Sequence, residues 1–194
     1  MEPITLTTER LELRPFTEAD VDAVAAACQD PEIARWIPVP APYRREDALE
    51  FVTRVSPAGW RDDTMYNFGY FTREDGALVG SMGLVRLALL HAPERQAELG
   101  FWAAKEQRGR GYTAEAARAV VDWAFTGLGV ERMEWVAAAG NEGSRAVAAR
   151  VGFVMEGLQR GRLVHRGVRL DAWIGALLPG DWGRASATPY EPAI

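Results

Sequence analysis

Apolar positions along this chain recur with two periods, two residues and about 3.6, and the switches between them give the order of its elements. Arg10-Leu-Glu-Leu-Arg alternates polar and apolar residues and is stopped by Pro15, which predicts a first strand. A helix follows, with Thr17 set three residues before Asp20 as its cap and Val21, Val24, Ala25 and Cys28 on one apolar face. The stretch Trp36-Ile-Pro-Val-Pro-Ala-Pro-Tyr43 is too rigid and too short of N–H donors for a helix or a central strand, so it predicts a shaped surface loop. Arg45 to Val55 returns to the helical period, with Ala48, Phe51, Val52 and Val55 in step. Tyr66, Phe68 and Tyr70 then alternate with Asn67 and Gly69, and Arg73-Glu-Asp-Gly76 turns the chain into a second alternating run, Ala77 to Leu87. That is an antiparallel hairpin.

In the second half, Glu98 to Ala103 predicts a strand that leads through a glycine turn into a helix beginning near Thr113. Ala116, Val120 and Trp123 form one apolar row of this helix, with Ala117, Val121 and Ala124 beside it. Gly127 and Gly129 end it, Arg132 to Ala139 predicts another strand, and Asn141 caps a short helix that stops at Gly152. Phe153 starts a further strand, and the last hairpin runs from Arg160 to His165 and from Val168 to Leu177. Past Pro179 the chain is rich in Gly, Ser, Pro and Thr, so residues 179–194 are expected to form a poorly packed tail on a domain spanning 1–178. The order is α+β, with no internal repeat.

Composition narrows the partners. The chain has 194 residues, 48% of them hydrophobic and 25% charged, which is enough for one ordinary globular domain. A net charge of -5 argues against nucleic acid as the main partner and leaves room for a cationic substrate. No apolar run reaches the roughly 20 residues of a membrane helix, and Met1-Glu2-Pro3 opens no secretory signal, so the expected location is the cytoplasm. Cys28 has no intrachain partner and reads as a small buried thiol. His91 and His165 lack ligand-spaced neighbours, so no metal is expected.

The glycine turn carries the chemistry. Gly109 and Gly111 have no Cβ, so Arg108-Gly-Arg-Gly-Tyr-Thr113 can bend tightly and aim successive N–H groups, with the positive end of the following helix, at an anion. A dinucleotide fold is disfavoured, because the turn follows a late strand and no acidic residue ends a second strand about 20 residues on. A Walker loop is excluded by the missing Gly-Lys-Ser/Thr.

These residues resemble the GNAT superfamily of acyl-CoA-dependent N-acyltransferases, whose Arg/Gln-x-x-Gly-x-Gly/Ala signature is met except at Thr113. Thr8-Glu-Arg-Leu-Glu-Leu-Arg-Pro-Phe, Asp30-Pro-Glu, Asn141-Glu-Gly-Ser144, Val151-Gly-Phe-Val-Met-Glu-Gly157 and Asp171 are similar to the ribosomal-protein N-terminal acetyltransferase branch. The resemblance implies a single GNAT-like domain. Its mixed, mostly antiparallel sheet would have about seven strands, helices on both faces and a V-shaped splay between strands 4 and 5, here Glu98–Ala103 and Arg132–Ala139. It also implies acetyl-CoA, or another short acyl-CoA, lying in that splay. The pyrophosphate would rest on Arg108, Gly109, Arg110, Gly111, Tyr112 and Thr113, and the pantetheine on the backbone of Phe101, Trp102 and Ala103. Asn141 would touch the cofactor as well as cap its helix; capping alone is the alternative.

The implied reaction is direct attack of a neutral primary amine on the thioester. A backbone N–H in Phe101–Ala103 is the expected oxyanion donor. Glu98, on the strand face shared with Gly100 and Trp102, is the candidate base acting through water; a solvated edge residue or an arginine ion pair is the alternative. The family's thiolate-protonating tyrosine position is Ala148, which leaves Ser144 as candidate donor to the departing sulfur or as an ordinary helix-terminal hydroxyl. Trp36 and Tyr43 border the expected acceptor side, unless they merely pack on the core. The acceptor is a protein N-terminal amine or a small molecule such as an antibiotic, amino acid or polyamine. A non-catalytic acyl-CoA-binding module is the reading from another class, and the chain would act as a monomer or homodimer.

Overall fold

The computed structural model describes residues 1–193 and forms one eight-stranded sheet. Its strands are β1 (Leu6–Thr7), β2 (Leu11–Arg14), β3 (Tyr66–Thr72), β4 (Leu78–Val85), β5 (Gln96–Ala103), β6 (Arg132–Ala138), β7 (Val154–His165) and β8 (Val168–Leu177), in the spatial order β1-β2-β3-β4-β5-β6-β8-β7. Every pair is antiparallel except β5 with β6. The helices are α1 (Val21–Ala27), α2 (Pro31–Trp36), α3 (Arg45–Glu50), α4 (Ser56–Arg61), α5 (Tyr112–Gly127) and α6 (Glu142–Val151).

The alternation of the strands sorts their side chains onto two faces. Tyr66, Phe68 and Tyr70 of β3, Leu99 of β5 and Met133 and Trp135 of β6 join Ala116, Val120 and Ala124 of α5 in the larger core. Phe71, on the other face of β3, meets Phe16, Val21, Val24, Cys28, Tyr43, Ala48 and Val52 in the smaller one. The splay expected between two central strands is the β5–β6 pair. Its pairing runs from Gln96 and Arg132 to Glu98 and Glu134 and stops there, while β5 goes on to Ala103 and β6 pairs with β8 instead.

Several expectations change in detail. The sheet has eight strands rather than about seven, among them the two-residue β1, which the pattern did not predict. The strand starting after Phe153 and the first arm of the last hairpin are one strand, β7, with register shifts near Gly157 and between Gln159 and Leu163. The helix expected to end at Val55 passes through a π turn, Phe51–Val55, into α4. Pro57 supplies the reason: it cannot donate to the carbonyl four residues back, and its ring crowds that carbonyl, so the widened turn absorbs the misfit. Within the supposed loop, Trp36 is the last residue of α2, whose start is marked by Asp30 accepting from the Glu32 N–H at 3.1 Å and by Pro31 at the first helical position. The segment after Pro179 is held more than its composition predicts. Trp182 packs on Phe125, and the Glu131 carboxylate accepts from Ser186 Oγ and from the N–H groups of Ala187 and Thr188.

Candidate active site

A cleft of about 480 Å³ opens where β5 and β6 part. Phe101, Trp102 and Ala103 form one wall, Gly140 to Ser144 with Val147 another, and Ile33, Trp36 and Ile37 a third; Arg108, Gly109 and Thr113 close one end.

The backbone of β5 is divided between this cleft and the sheet. Trp102 is paired with Ser81 across an antiparallel ladder, and the Trp102 carbonyl also accepts from the Tyr70 hydroxyl at 3.1 Å. Its main chain is therefore turned to β4. Alternation then turns the N–H and C=O of Phe101 and Ala103 toward the opening left by β6. Trp102 thus lines the cleft with its side chain and does not offer the backbone pairing expected of it. Gly80 permits the arrangement: a Cβ there would lie 2.1 Å from the Trp102 carbonyl oxygen and 2.7 Å from the Tyr70 hydroxyl.

At the end of the cleft, Gly109 and Gly111 both take positive φ, +79° and +80°, as the tight turn requires. Helix α5 starts at Tyr112, with Gly111 in the capping position and no side-chain cap. Its first internal bond is from the Glu115 N–H to the Gly111 carbonyl at 3.1 Å. The amides of Gly109 to Ala114 have no hydrogen-bond partner among the described residues. Thr113 does not cap the helix. Its hydroxyl lies 3.2 Å from that of Tyr70, and since the Tyr70 proton goes to Trp102, Thr113 donates. Burial pushes the Tyr70 phenol up, so it stays neutral.

The Arg108 side chain is engaged within the chain rather than left as a free charge beside the turn. Its guanidinium donates to the Ala103 carbonyl at 2.8 and 3.1 Å and sits 2.6 Å from Asp30 Oδ2, a charge contact rather than an aligned hydrogen bond. Arg110 is exposed, with a 3.4 Å bond from its guanidinium to Gln107 Oε1. Arg10, which sequence reasoning missed, reaches the turn from the β1–β2 corner: it donates to the Arg110 carbonyl at 3.1 Å, covers the Tyr112 ring at 4.6 Å and pairs with Glu115.

Across the cleft, Asn141 caps α6, its Oδ1 accepting from the Ser144 N–H at 3.1 Å. Ser144 Oγ accepts from the indole N–H of the buried Trp135 at 2.9 Å. Trp36 spans from α2 to this corner, its ring edge 3.9 Å from where a Cβ on Gly140 would lie. Tyr43 is a correction: it is only 7% exposed, packed in the smaller core, and does not line this cleft. Packing on the core was its better explanation, and burial beside Cys28 pushes its phenol up. Burial likewise pushes the Cys28 thiol to about 12, too high for a nucleophile at neutral pH.

Glu98 lies at the apex of the splay, beside the cleft rather than among its lining residues, and faces Glu134 in direct register. Burial pushes the Glu98 carboxyl up and the like charge of Glu134 adds to this, while Arg86 and Arg162 oppose it. Arg86, in left-handed conformation at φ +56°, brings Nε within 3.0 Å of Glu98 Oε2, but off the hydrogen-bond axis. Glu134 is held by Arg132 at 3.0 Å, which also binds Glu156 at 2.6 Å. A glutamate flanked by Met133 and Trp135, in a strand that is apolar after Arg132, was the signal for Glu134. Among the described residues no His, Cys, Asp and Glu cluster could hold a metal ion, and no helix is long and apolar enough to cross a membrane.

A parallel strand pair that parts beside an uncapped glycine-turn helix is the geometry that the resemblance to acyl-CoA-dependent acyltransferases implies. Residues 10–154 match the acetyltransferase (GNAT) domain, and the chain belongs to that family. It is 40% identical to "Putative ribosomal N-acetyltransferase YdaF" of Bacillus subtilis over 56% of its own length and 57% of that protein, so this match spans less than two thirds of the relative. It is 29% identical to "Uncharacterized N-acetyltransferase YoaA" of the same organism, over 86% of this chain and 92% of that one. In fold it is similar to Mycobacterium smegmatis RimJ solved in complex with CoA-disulfide, with a TM-score of 0.83, 24% identity, and 95% and 93% of the two chains covered. The protein is a GNAT N-acetyltransferase.

Proposed function

We propose that the protein transfers an acetyl group from acetyl-CoA to the α-amine of a protein N-terminus. The observation that carries the reading is the convergence, in one cleft, of unpartnered α5 amides, the Phe101 and Ala103 N–H groups turned away from β4, and the Ser144 hydroxyl. The fit to a pyrophosphate is good: six amides without partners face the turn, a Cβ on Gly109 would meet nothing within 4 Å, and the 16-residue α5 places its positive end there. When bound, acetyl-CoA supplies the activated acyl group.

This chain's residues do the rest. Amides of Gly109 to Thr113 hold the phosphates, and Arg108 yields the Ala103 carbonyl to the pantetheine, which adds to β5 in the manner of a strand. The Phe101 or Ala103 N–H stabilises developing negative charge on the carbonyl oxygen, worth about 3 kcal/mol in other acyl-transfer enzymes. Glu98 draws the proton from the incoming ammonium through water; its raised affinity for protons suits a base better than a solvated carboxylate would. Ser144 donates to the sulfur, and Asn141, with Oδ1 committed to the cap, has its amide NH₂ left for the cofactor. The acceptor assignment draws on the ribosomal name of YdaF.

The test offers N-terminal peptides, free amino acids, polyamines and aminoglycosides with acetyl-CoA and with succinyl-CoA, reading free thiol and acceptor mass. Acetylation of peptide α-amines is the expected result. Exclusive modification of a small amine would move the assignment to a small-molecule acetyltransferase, and binding of acetyl-CoA without thiol release for any amine would leave a non-catalytic module.

A further inference from the structure

Resting on the reading of Ser144 above, we propose that Trp135 is a positioning residue: its indole N–H occupies the acceptor side of Ser144 Oγ and so directs the Ser144 proton into the cleft, toward the CoA sulfur. Trp135 belongs to β6, on the face that meets α5 and α6, and is 1% exposed. A buried indole needs an acceptor for its single donor. Here that acceptor is a side-chain hydroxyl at 2.9 Å rather than a backbone carbonyl. The choice matters because an indole can only donate. Ser144 Oγ is therefore an acceptor in this bond, and its own proton must go elsewhere.

The usual alternative for a serine in the first turn of a helix is to turn back onto a nearby backbone carbonyl. Two restraints oppose it in α6. The Ser144 N–H is tied to Asn141 Oδ1 at 3.1 Å, which fixes the backbone, and the indole fixes the oxygen. Among the described residues Ser144 Oγ has no acceptor for its proton, and Ser144 lines the cleft. A hydroxyl held in this way has little rotational entropy to lose when it meets a thiolate, and the N-terminus of α6 adds favourable potential for a negative sulfur. A role in packing alone would need only the ring of Trp135. The proposal concerns its N–H.

The experiment titrates CoA, labelled with ¹³C at the carbon bonded to sulfur, in complex with the protein and follows the thiol by its chemical shift against pH. A donor aimed at sulfur favours the thiolate and lowers the pKa of the bound thiol. Ser144→Ala and Trp135→Phe are each expected to raise it relative to wild type, and the double variant to raise it no further than Ser144→Ala alone. Benzothienylalanine at position 135 keeps the ring shape and removes the N–H, and it is expected to reproduce Trp135→Phe if that variant fails to fold. With amine acceptor present, Trp135→Phe should lower kcat about tenfold with the KM for acetyl-CoA within twofold. A rise for Ser144→Ala without one for either change at 135 overturns the positioning role and leaves the Ser144 reading standing. No rise for Ser144→Ala overturns both, and a Trp135→Phe effect that persists undiminished in the Ser144→Ala background assigns Trp135 to packing.

Discussion

Two helix N-termini meet the same cleft and are finished in opposite ways. Helix α6 is closed: Asn141 takes the Ser144 N–H, and the Gly140 carbonyl takes that of Glu142. Helix α5 is left open, with a glycine where a cap would stand and its leading amides without partners. A capped end spends its donors on its own chain and holds one side chain still, whereas an open end keeps its donors for a ligand. The first presents the Ser144 hydroxyl and the second an anion site. The longer helix, with the fuller dipole, is the one left open.

The contrast breaks most directly if α5 is given its own anion. Gly111→Asp places a carboxylate at the socket and a side chain at φ +80°, and is expected to weaken CoA binding about a hundredfold, roughly 2.7 kcal/mol, by calorimetric titration. Asn141→Asp, the parallel change on α6, keeps a good cap and should leave melting close to wild type.

Next in size, Glu98→Gln should lower kcat by a factor on the order of a hundred while CoA affinity holds, separating proton removal from both helix ends. Its sign in stability is opposite. Burial raises the Glu98 pKa, so its contribution is fully present below the unfolded-state value and is lost as pH rises through the folded one. Chemical denaturation at pH 8 should therefore find Glu98→Gln at least as stable as wild type, and the acidic limb of kcat/KM should disappear in the variant.

Smaller effects sharpen the picture. Asn141→Ala should cost about 1 kcal/mol of stability by removing the α6 cap. Thr113→Val removes the bond to Tyr70 and should cost about 1 kcal/mol in denaturation, with CoA affinity within twofold, because the socket uses main-chain amides.

The glycine turn, α5 and the Asn141 cap were legible because each has a local signal: paired glycines, a 3.6-residue apolar period, an N-cap residue; alternation gave β5 and β6 as strands, and their splay came only with the family resemblance. Helix α2 left its own trace in Asp30-Pro31, but the prolines from Pro38 onward drew Trp36 into the loop. What escaped depends on tertiary neighbours. Arg108 is engaged by Asp30, far off in sequence, and Tyr43 looked exposed until α1 and α3 packed around it. Which strand residues turn their backbone to the cleft follows from the β4–β5 register, set by cross-strand packing, so Trp102 could not be told from Phe101 by sequence. The Trp135–Ser144 bond joins two elements that no local pattern relates.

Amide chemical shifts of the ¹⁵N-labelled protein, followed as CoA is added, address the open helix end most directly. The largest downfield changes are expected at Gly109, Arg110, Gly111, Tyr112, Thr113 and Ala114, with the capped Glu142 amide little moved and the whole pattern lost in Gly111→Asp. Saturable CoA binding that leaves those six amides unshifted would contradict an anion site at that end.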